Sequence, residues 1–147
     1  MELLAELAVI AGMSRAWLES QADDPIERHE EGGYIVLNPD LTHGVQRWPR
    51  GQQSRIAPPP LDANNCYNGR AVVAAFHTHP NPPIDEVGRE WEQRPSESDR
   101  RWHARRKLRG FVVSRALIYE IDADANIAVL GKRNEVLHHG PAPESPS

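Results

Sequence analysis

The sequence predicts one mixed α/β domain, a mixed sheet flanked by helices, and three features indicate it. An amphipathic helix pattern covers residues 2–20, a short and continuously apolar strand pattern covers residues 71–76, and a charged helix pattern covers residues 99–109. The 147 residues are enough for one domain with its own hydrophobic core. We assign that domain to residues 1–137 and expect the Pro/Ser-rich tail, residues 138–147, to be disordered.

The first part of the chain predicts a helix followed by a pair of strands. The apolar stripe of the helix recurs at helical spacing and consists of Leu3, Leu7, Ile10 and Ala11. The Asp-Asp-Pro turn at residues 23–25 ends the helix. The β-rich run 33–37 is closed by Asn38-Pro39-Asp40, and residues 44–48 can return as its hairpin partner. Residues 49–70 are rich in Gly, Pro, Gln and Asn, which predicts an irregular connection.

The rest of the chain predicts a buried strand, a helix and further strands. The apolar run 71–76 is typical of a strand covered on both faces, and it leads directly into His77-Thr78-His79-Pro80. A loop over residues 81–95 precedes the helix at 99–109, which we expect Gly110 to stop. A second hairpin and one more strand are predicted over residues 111–114, 117–121 and 127–130.

Composition and charge exclude several kinds of partner and site. The net charge of -4 and the pI near 6.0 indicate no basic face, so we expect no nucleic-acid partner. The single cysteine, Cys66, excludes sites with paired thiolates, and any metal must therefore be held by His and carboxylate groups. Residues 1–12 lack the basic leader of a secretory signal, and no apolar run is long enough to cross a bilayer. We expect a soluble cytoplasmic protein without a membrane partner, with export by a system that reads no cleavable signal as the alternative.

Two histidines and one aspartate form the candidate metal site. Side chains two apart on an extended strand point to the same face, so His77 and His79 can approach one ion. Asp99, in the first turn of the following helix, can present its carboxylate to the same ion. A catalytic zinc needs three such ligands and one open position for water. Because zinc acidifies its water and polarises a carbonyl, the pattern predicts metal-assisted hydrolysis.

A hydrolase site of this kind needs two further groups. Ser96 lies one helical turn before Asp99 and can stabilise the oxyanion that forms when water attacks a carbonyl. The alternative is structural, because S-x-x-[DE] is also a helix capping box. The general base must be a carboxylate outside the ligand set, and both Glu30 and Glu31 stand just ahead of Gly32-Gly33 and a strand. Spacing alone does not separate these two glutamates.

The same residues carry a resemblance to a known family. Three segments resemble, in order, the E-x-x-G, H-x-H-P and S-x-x-D parts of the signature of JAMM (MPN or JAB domain) metallopeptidases: Glu30-Glu31-Gly32-Gly33, His77-Thr78-His79-Pro80 and Ser96-Glu97-Ser98-Asp99. The resemblance implies that the two histidines and the aspartate hold zinc and that Ser96 stabilises the tetrahedral intermediate. It also implies that Glu30, rather than Glu31, is the acid/base.

The resemblance implies a fold and a reaction as well. The fold is cytidine-deaminase-like, and the reaction is hydrolysis of peptide or isopeptide bonds, including those that join ubiquitin-like modifiers to lysine. A protein or peptide substrate is therefore the expected partner. The long loop at 81–95 resembles those of bacterial JAB-like domains in phage-tail, toxin-associated and defence systems. Two other functions remain open, a non-catalytic MPN-like binding module and a bacterial effector or toxin hydrolase.

Overall fold

Seven strands form a mixed sheet in the computed structural model, which describes residues 2–137. The strands are β1 (Gly32–Leu37), β2 (His43–Arg47), β3 (Cys66–Tyr67), β4 (Arg70–His79), β5 (Arg109–Ser114), β6 (Leu117–Ile121) and β7 (Ile127–Lys132). Their order across the sheet is β2-β1-β4-β5-β6-β7, with β3 paired to the start of β4. β4 and β5 are parallel, and the other pairs are antiparallel. The mixed α/β class and both predicted hairpins are confirmed, and the tail lies outside the described residues.

The helices are α1 (Leu7–Glu19), α2 (Glu97–Arg106) and the short α3 (Arg133–Val136), with a 3-10 turn at Leu3–Ala5. α1 packs on one face of the sheet and closes the main core, whose buried members include Val9, Ile10, Met13, Ile35, Phe76, Phe111 and Ile118. The other face carries a second core beneath α2 and the irregular segment, built from Tyr34, Val36, Trp48, Val72, Ala75 and Leu108. Over the described residues, no helix combines the length and apolarity needed to span a bilayer.

The structure corrects two details of the helix predictions. Leu7 and Ala11 were expected on the buried stripe of α1 but are exposed, Leu7 to 73%. The helix begins only at Leu7, and the face that it buries consists of Val9, Ile10, Met13 and Ala16. α2 ends at Arg106, where Lys107 adopts a left-handed conformation, and not at Gly110. Gly110 lies inside β5, where a Cβ atom would come within 2.0 Å of the His103 ring. Its small size is required by packing and not by a helix stop.

Candidate metal centre

The pairing of β1 with β4 decides which side chains share a face. Gly32 is opposite His77, and the next pair is held by a bond of 2.9 Å from the Thr78 amide to the Glu31 carbonyl. Directly opposed residues of antiparallel strands project to the same side, and neighbours along a strand alternate. Glu30 therefore projects to the side of His77 and His79, beneath α2. Glu31 and Thr78 project to the side of α1.

Three side chains converge on this side of the sheet. The Nε2 atoms of His77 and His79 are 3.2 Å apart, Asp99 Oδ1 is 3.3 Å from His77 Nε2, and Asp99 Oδ2 is 3.5 Å from His79 Nε2. Ligand atoms about 2.0–2.1 Å from a tetrahedral zinc are about 3.3 Å from one another. Each of these distances is close to that between two ligand atoms of one tetrahedral metal ion, and the sequence-predicted ligands are brought together.

Glu30 stands beside this trio. Its carboxylate and the two histidine rings offer donor atoms that all lie within 4.8 Å of one another, so Glu30, His77 and His79 could also hold a metal ion. Asp99 reaches the two histidines through different oxygens of its carboxylate, at 3.3 and 3.5 Å. Among the described residues, the Glu30 carboxylate has no hydrogen-bond partner, although the residue is buried. Glu30 is therefore placed next to the candidate ligands with its oxygens uncommitted.

The start of α2 positions Asp99 and Ser96. The Ser96 amide donates to Asp99 Oδ2 at 2.8 Å, and the Asp99 amide donates to Ser96 Oγ at 3.1 Å, which is a complete capping box. The structural interpretation of this motif is thus confirmed, yet the same carboxylate also reaches both histidines. In the cap, Ser96 Oγ acts as an acceptor, so its own O–H remains able to donate into the cleft that it lines.

The long loop fixes the orientation of His79. His79 Nδ1 lies 3.3 Å from the Gln93 carbonyl oxygen, which can only accept, so Nδ1 carries the hydrogen and Nε2 keeps its lone pair for an ion. The Gln93 side chain donates to the Asn81 carbonyl at 2.9 Å, and this bond ties the two ends of the loop together. The loop at 81–95 thus contributes directly to the geometry of the site.

The charges of the two carboxylates, Asp99 and Glu30, favour positive charge on or between the histidine rings. Burial alone would lower the pKa of His77, but the carboxylates of Asp99 and Glu30 outweigh it and raise that pKa to about 9. Burial opposes ionisation of Asp99, yet the two histidines hold its pKa well below the usual range. Burial raises the pKa of Glu30 despite the nearby imidazoles. Two carboxylates that face two imidazoles would stabilise a cation held between these groups.

Glu31, the competing glutamate, is committed elsewhere. One of its carboxylate oxygens pairs with the Arg47 guanidinium, and the other lies 2.5 Å from His29 Nε2. All three side chains are buried or largely so, and they lie on the α1 side of the sheet. Of the two glutamates that sequence could not separate, only Glu30 lies at the candidate site.

An open cleft of about 480 Å³ leads to the site. The individual residues of its walls were not predicted from sequence. They are two tryptophans, one histidine and four residues of the irregular segment: Trp48, Ser54, Arg55, Ile56, Pro58, Trp102 and His103. A signal for two of them was available, because Trp102 and His103 follow Asp99 by three and four residues and so share its helix face. Trp48 carried no such signal. It packs so closely on Gly32 that a Cβ there would lie 2.5 Å from its ring.

Comparisons with known proteins returned no match to a protein family, a curated protein or a solved structure. The JAMM resemblance therefore depends on its motif residues alone.

Proposed function

We propose that the protein is a zinc-dependent hydrolase that cleaves peptide or isopeptide bonds, with the division of labour of a JAMM metallopeptidase. The observation that carries the proposal is the spacing of 3.2–3.5 Å among the donor atoms of His77, His79 and Asp99. These three residues would hold the zinc, which when bound supplies Lewis acidity and an acidified water. The cytidine-deaminase-like form of the mixed sheet belongs to the same proposal.

Glu30 is the acid/base in this scheme. Its carboxylate lies beside the histidines, has no fixed partner among the described residues and opens on the cleft. It can therefore accept a proton from the attacking water and return it to the leaving nitrogen, as general acid–base catalysis requires. Glu31 cannot take this part, because Arg47 and His29 occupy its oxygens on the opposite side of the sheet.

Ser96 supplies the oxyanion donor. Its oxygen already accepts from the Asp99 amide, which fixes the hydroxyl at the rim of the cleft while leaving the hydrogen free. A donor held in place before the reaction stabilises developing negative charge without reorganisation. The cap and the catalytic role are thus compatible.

The test uses protein purified without chelator, comparing the wild type with Asp99→Asn and Glu30→Gln. Zinc content is measured by mass spectrometry, and turnover is measured on a quenched peptide library and on a lysine isopeptide substrate. We expect one zinc per chain in the wild type and in Glu30→Gln, little in Asp99→Asn, and turnover in the wild type alone. A wild-type protein that takes up no zinc would contradict the proposal.

One observation favours a second function, a non-catalytic binding module with a structural metal. Because Glu30 lies within reach of both histidines, it could complete a closed four-ligand site with no open position. In that case Glu30→Gln would lower zinc affinity by more than the roughly 10–100-fold that loss of an outer-shell partner costs. Unchanged zinc affinity together with lost turnover supports the hydrolase instead.

A further inference from the structure

Two arginines line a second depression, of about 520 Å³, at the C-terminal end of α1. Arg115 lies in the turn between β5 and β6, and Arg133 begins α3. The remaining lining residues are Trp17, Leu18, Gln21, Ala22, Asp23 and Asp24. None of these residues lines the cleft of the candidate metal centre. The depression is therefore a separate feature of the surface.

Both guanidinium groups are held in place by neutral partners. Arg115 donates from Nε to the Pro80 carbonyl at 3.0 Å and from an Nη group to the Ala22 carbonyl. Arg133 donates from Nε to the Arg115 carbonyl at 2.9 Å, and its guanidinium lies 4.5 Å from the centre of the Trp17 ring. These contacts fix the side chains before any ligand arrives, which reduces the entropy lost on binding.

The positive charges of this pair are poorly compensated. Within the described residues, Arg133 has no carboxylate inside 4.0 Å, and Arg115 has only Asp23, at 3.6 Å, whose side chain is fully exposed. An exposed pair at that distance contributes little. Asp24 directs Oδ1 to the amides of its own turn. Burial first, and then the nearby charge of Arg115, lowers the pKa of Arg133, while Asp23 acts in the opposite direction.

We propose that Arg115 and Arg133 bind an oxyanion, the carboxylate or phosphate group of a small anionic ligand. The Nη groups of Arg133 have no hydrogen-bond partner among the described residues, and a guanidinium fork matches the oxygens of either group. The anion would also relieve the repulsion between the two arginines. The site does not depend on the proposed hydrolase, and its test does not use turnover.

The experiment is an NMR titration of the ¹⁵N-labelled wild type at pH 7.5. Sodium phosphate and sodium acetate are added in separate series, each against sodium chloride of equal ionic strength, because screening alone shifts exposed charges. We expect saturable shifts of the Trp17 indole and arginine Nε signals with at least one of the two anions. The anion that saturates at lower concentration identifies the preferred group. Shifts no larger than those from chloride overturn the proposal, whatever the variants do.

Three variants sharpen the result. Arg133→Gln should weaken binding about tenfold or more, the effect of losing a charge-assisted hydrogen bond. Arg105→Gln makes the same change of charge on an exposed arginine of α2 and should leave binding unchanged. Asp23→Asn removes the competing carboxylate and should strengthen binding about threefold. Folding of each variant is checked by circular dichroism. A folded Arg133→Gln protein that binds as tightly as the wild type would refute the site.

Discussion

Glu30 and Glu31 lie side by side just before and at the start of the β1 pairing, and their side chains leave the chain on opposite faces of the sheet. Both are buried. Glu31 has two hydrogen-bond partners, Arg47 and His29. Glu30 has no hydrogen-bond partner in the described structure and faces two histidines and a second carboxylate. Two neighbouring residues therefore differ in kind: Glu31 belongs to a stabilising ion-pair network, and Glu30 is a buried carboxylate without a hydrogen-bond partner among the described residues.

The Glu31 face is satisfied through the backbone as well. The Glu31 amide donates to Thr78 Oγ1 at 3.0 Å, Thr78 Oγ1 lies 2.6 Å from Ser20 Oγ, and Ser20 Oγ donates to the Ala16 carbonyl at 2.9 Å. One consistent direction of donation runs along this chain, from Glu31 through Thr78 and Ser20 to α1. Thr78 stands between the two histidines in sequence, so the network braces the strand end that carries them.

The contrast shows how the fold can carry a reactive site. A buried carboxylate without a partner is destabilising, and proteins retain such groups where function requires them. The well-bonded opposite face holds the backbone in place while the site face remains incomplete.

Glu30→Gln should have the largest effect, and on activity alone. General acid–base catalysis contributes about 10²–10⁴-fold, so under the proposed function turnover of the isopeptide substrate should fall by that factor. The free energy of unfolding, measured by urea denaturation, should change little, since Glu30 has no hydrogen-bond partner among the described residues to lose. A variant that retains full turnover would remove Glu30 from the mechanism.

Glu31→Gln should lower the stability of the fold and leave turnover nearly unchanged. The change leaves His29 without its carboxylate and removes the buried partner of Arg47, which keeps only its pair with the half-exposed Glu19 at 3.0 Å. Breaking a buried ion pair costs about 3 kcal/mol. Urea denaturation should show this loss, while kcat of the folded protein should change only a few-fold. Glu27→Gln is the matched control, because its pair with Arg50 at 3.4 Å is more than half exposed on both sides and should contribute less than about 1 kcal/mol. Equal stability of the two variants would contradict the network.

Thr78→Val tests the hydroxyl chain. Valine keeps the shape of threonine but leaves the buried Glu31 amide without an acceptor, at an expected cost of about 2 kcal/mol in unfolding free energy. Thr78→Ser restores the hydroxyl and should recover most of that loss. If serine and valine destabilise the protein equally, the effect comes from packing and not from the hydrogen bonds.

Sequence alone could predict the strand that delivers His77 and His79, because a short apolar run and the alternation of side chains are local properties. It could also place Asp99 in the first turn of a helix. It could not choose between Glu30 and Glu31, since that choice depends on the register of β1 against β4, a contact between segments more than forty residues apart. The family resemblance favoured Glu30, and the register places that residue at the site.

The wrong helix end and the unpredicted cleft walls also result from contacts between segments that are distant in sequence. Gly110 carries the signature of a helix stop, yet the His103 ring is what excludes a side chain there, and Lys107 ends the helix at a positive φ that lysine rarely adopts. The walls of the cleft were missed because the irregular segment shows no periodicity. The position of the irregular segment is set by its contacts with the second core, including the hydrogen bond from the Tyr34 hydroxyl to the Pro59 carbonyl.

Tyr34→Phe should have the smallest effect, and it tests a single hydrogen bond on the Glu30 face of the sheet. Tyr34 projects to that face, and its hydroxyl donates to the Pro59 carbonyl at 2.5 Å, which pins the irregular segment beside the cleft. Burial raises the pKa of Tyr34 to about 12, so the hydroxyl remains a donor at all ordinary pH values.

Loss of this one hydrogen bond should cost about 1 kcal/mol in urea denaturation. Because Ile56 and Pro58 form part of the cleft wall, the proposed function predicts a higher KM with kcat unchanged. Tyr119→Phe is the control, since its hydroxyl has no hydrogen-bond partner in the described part of the chain and its removal should change neither quantity. A fall in kcat at constant KM would mean instead that Tyr34 supports the Glu30 carboxylate and not the wall.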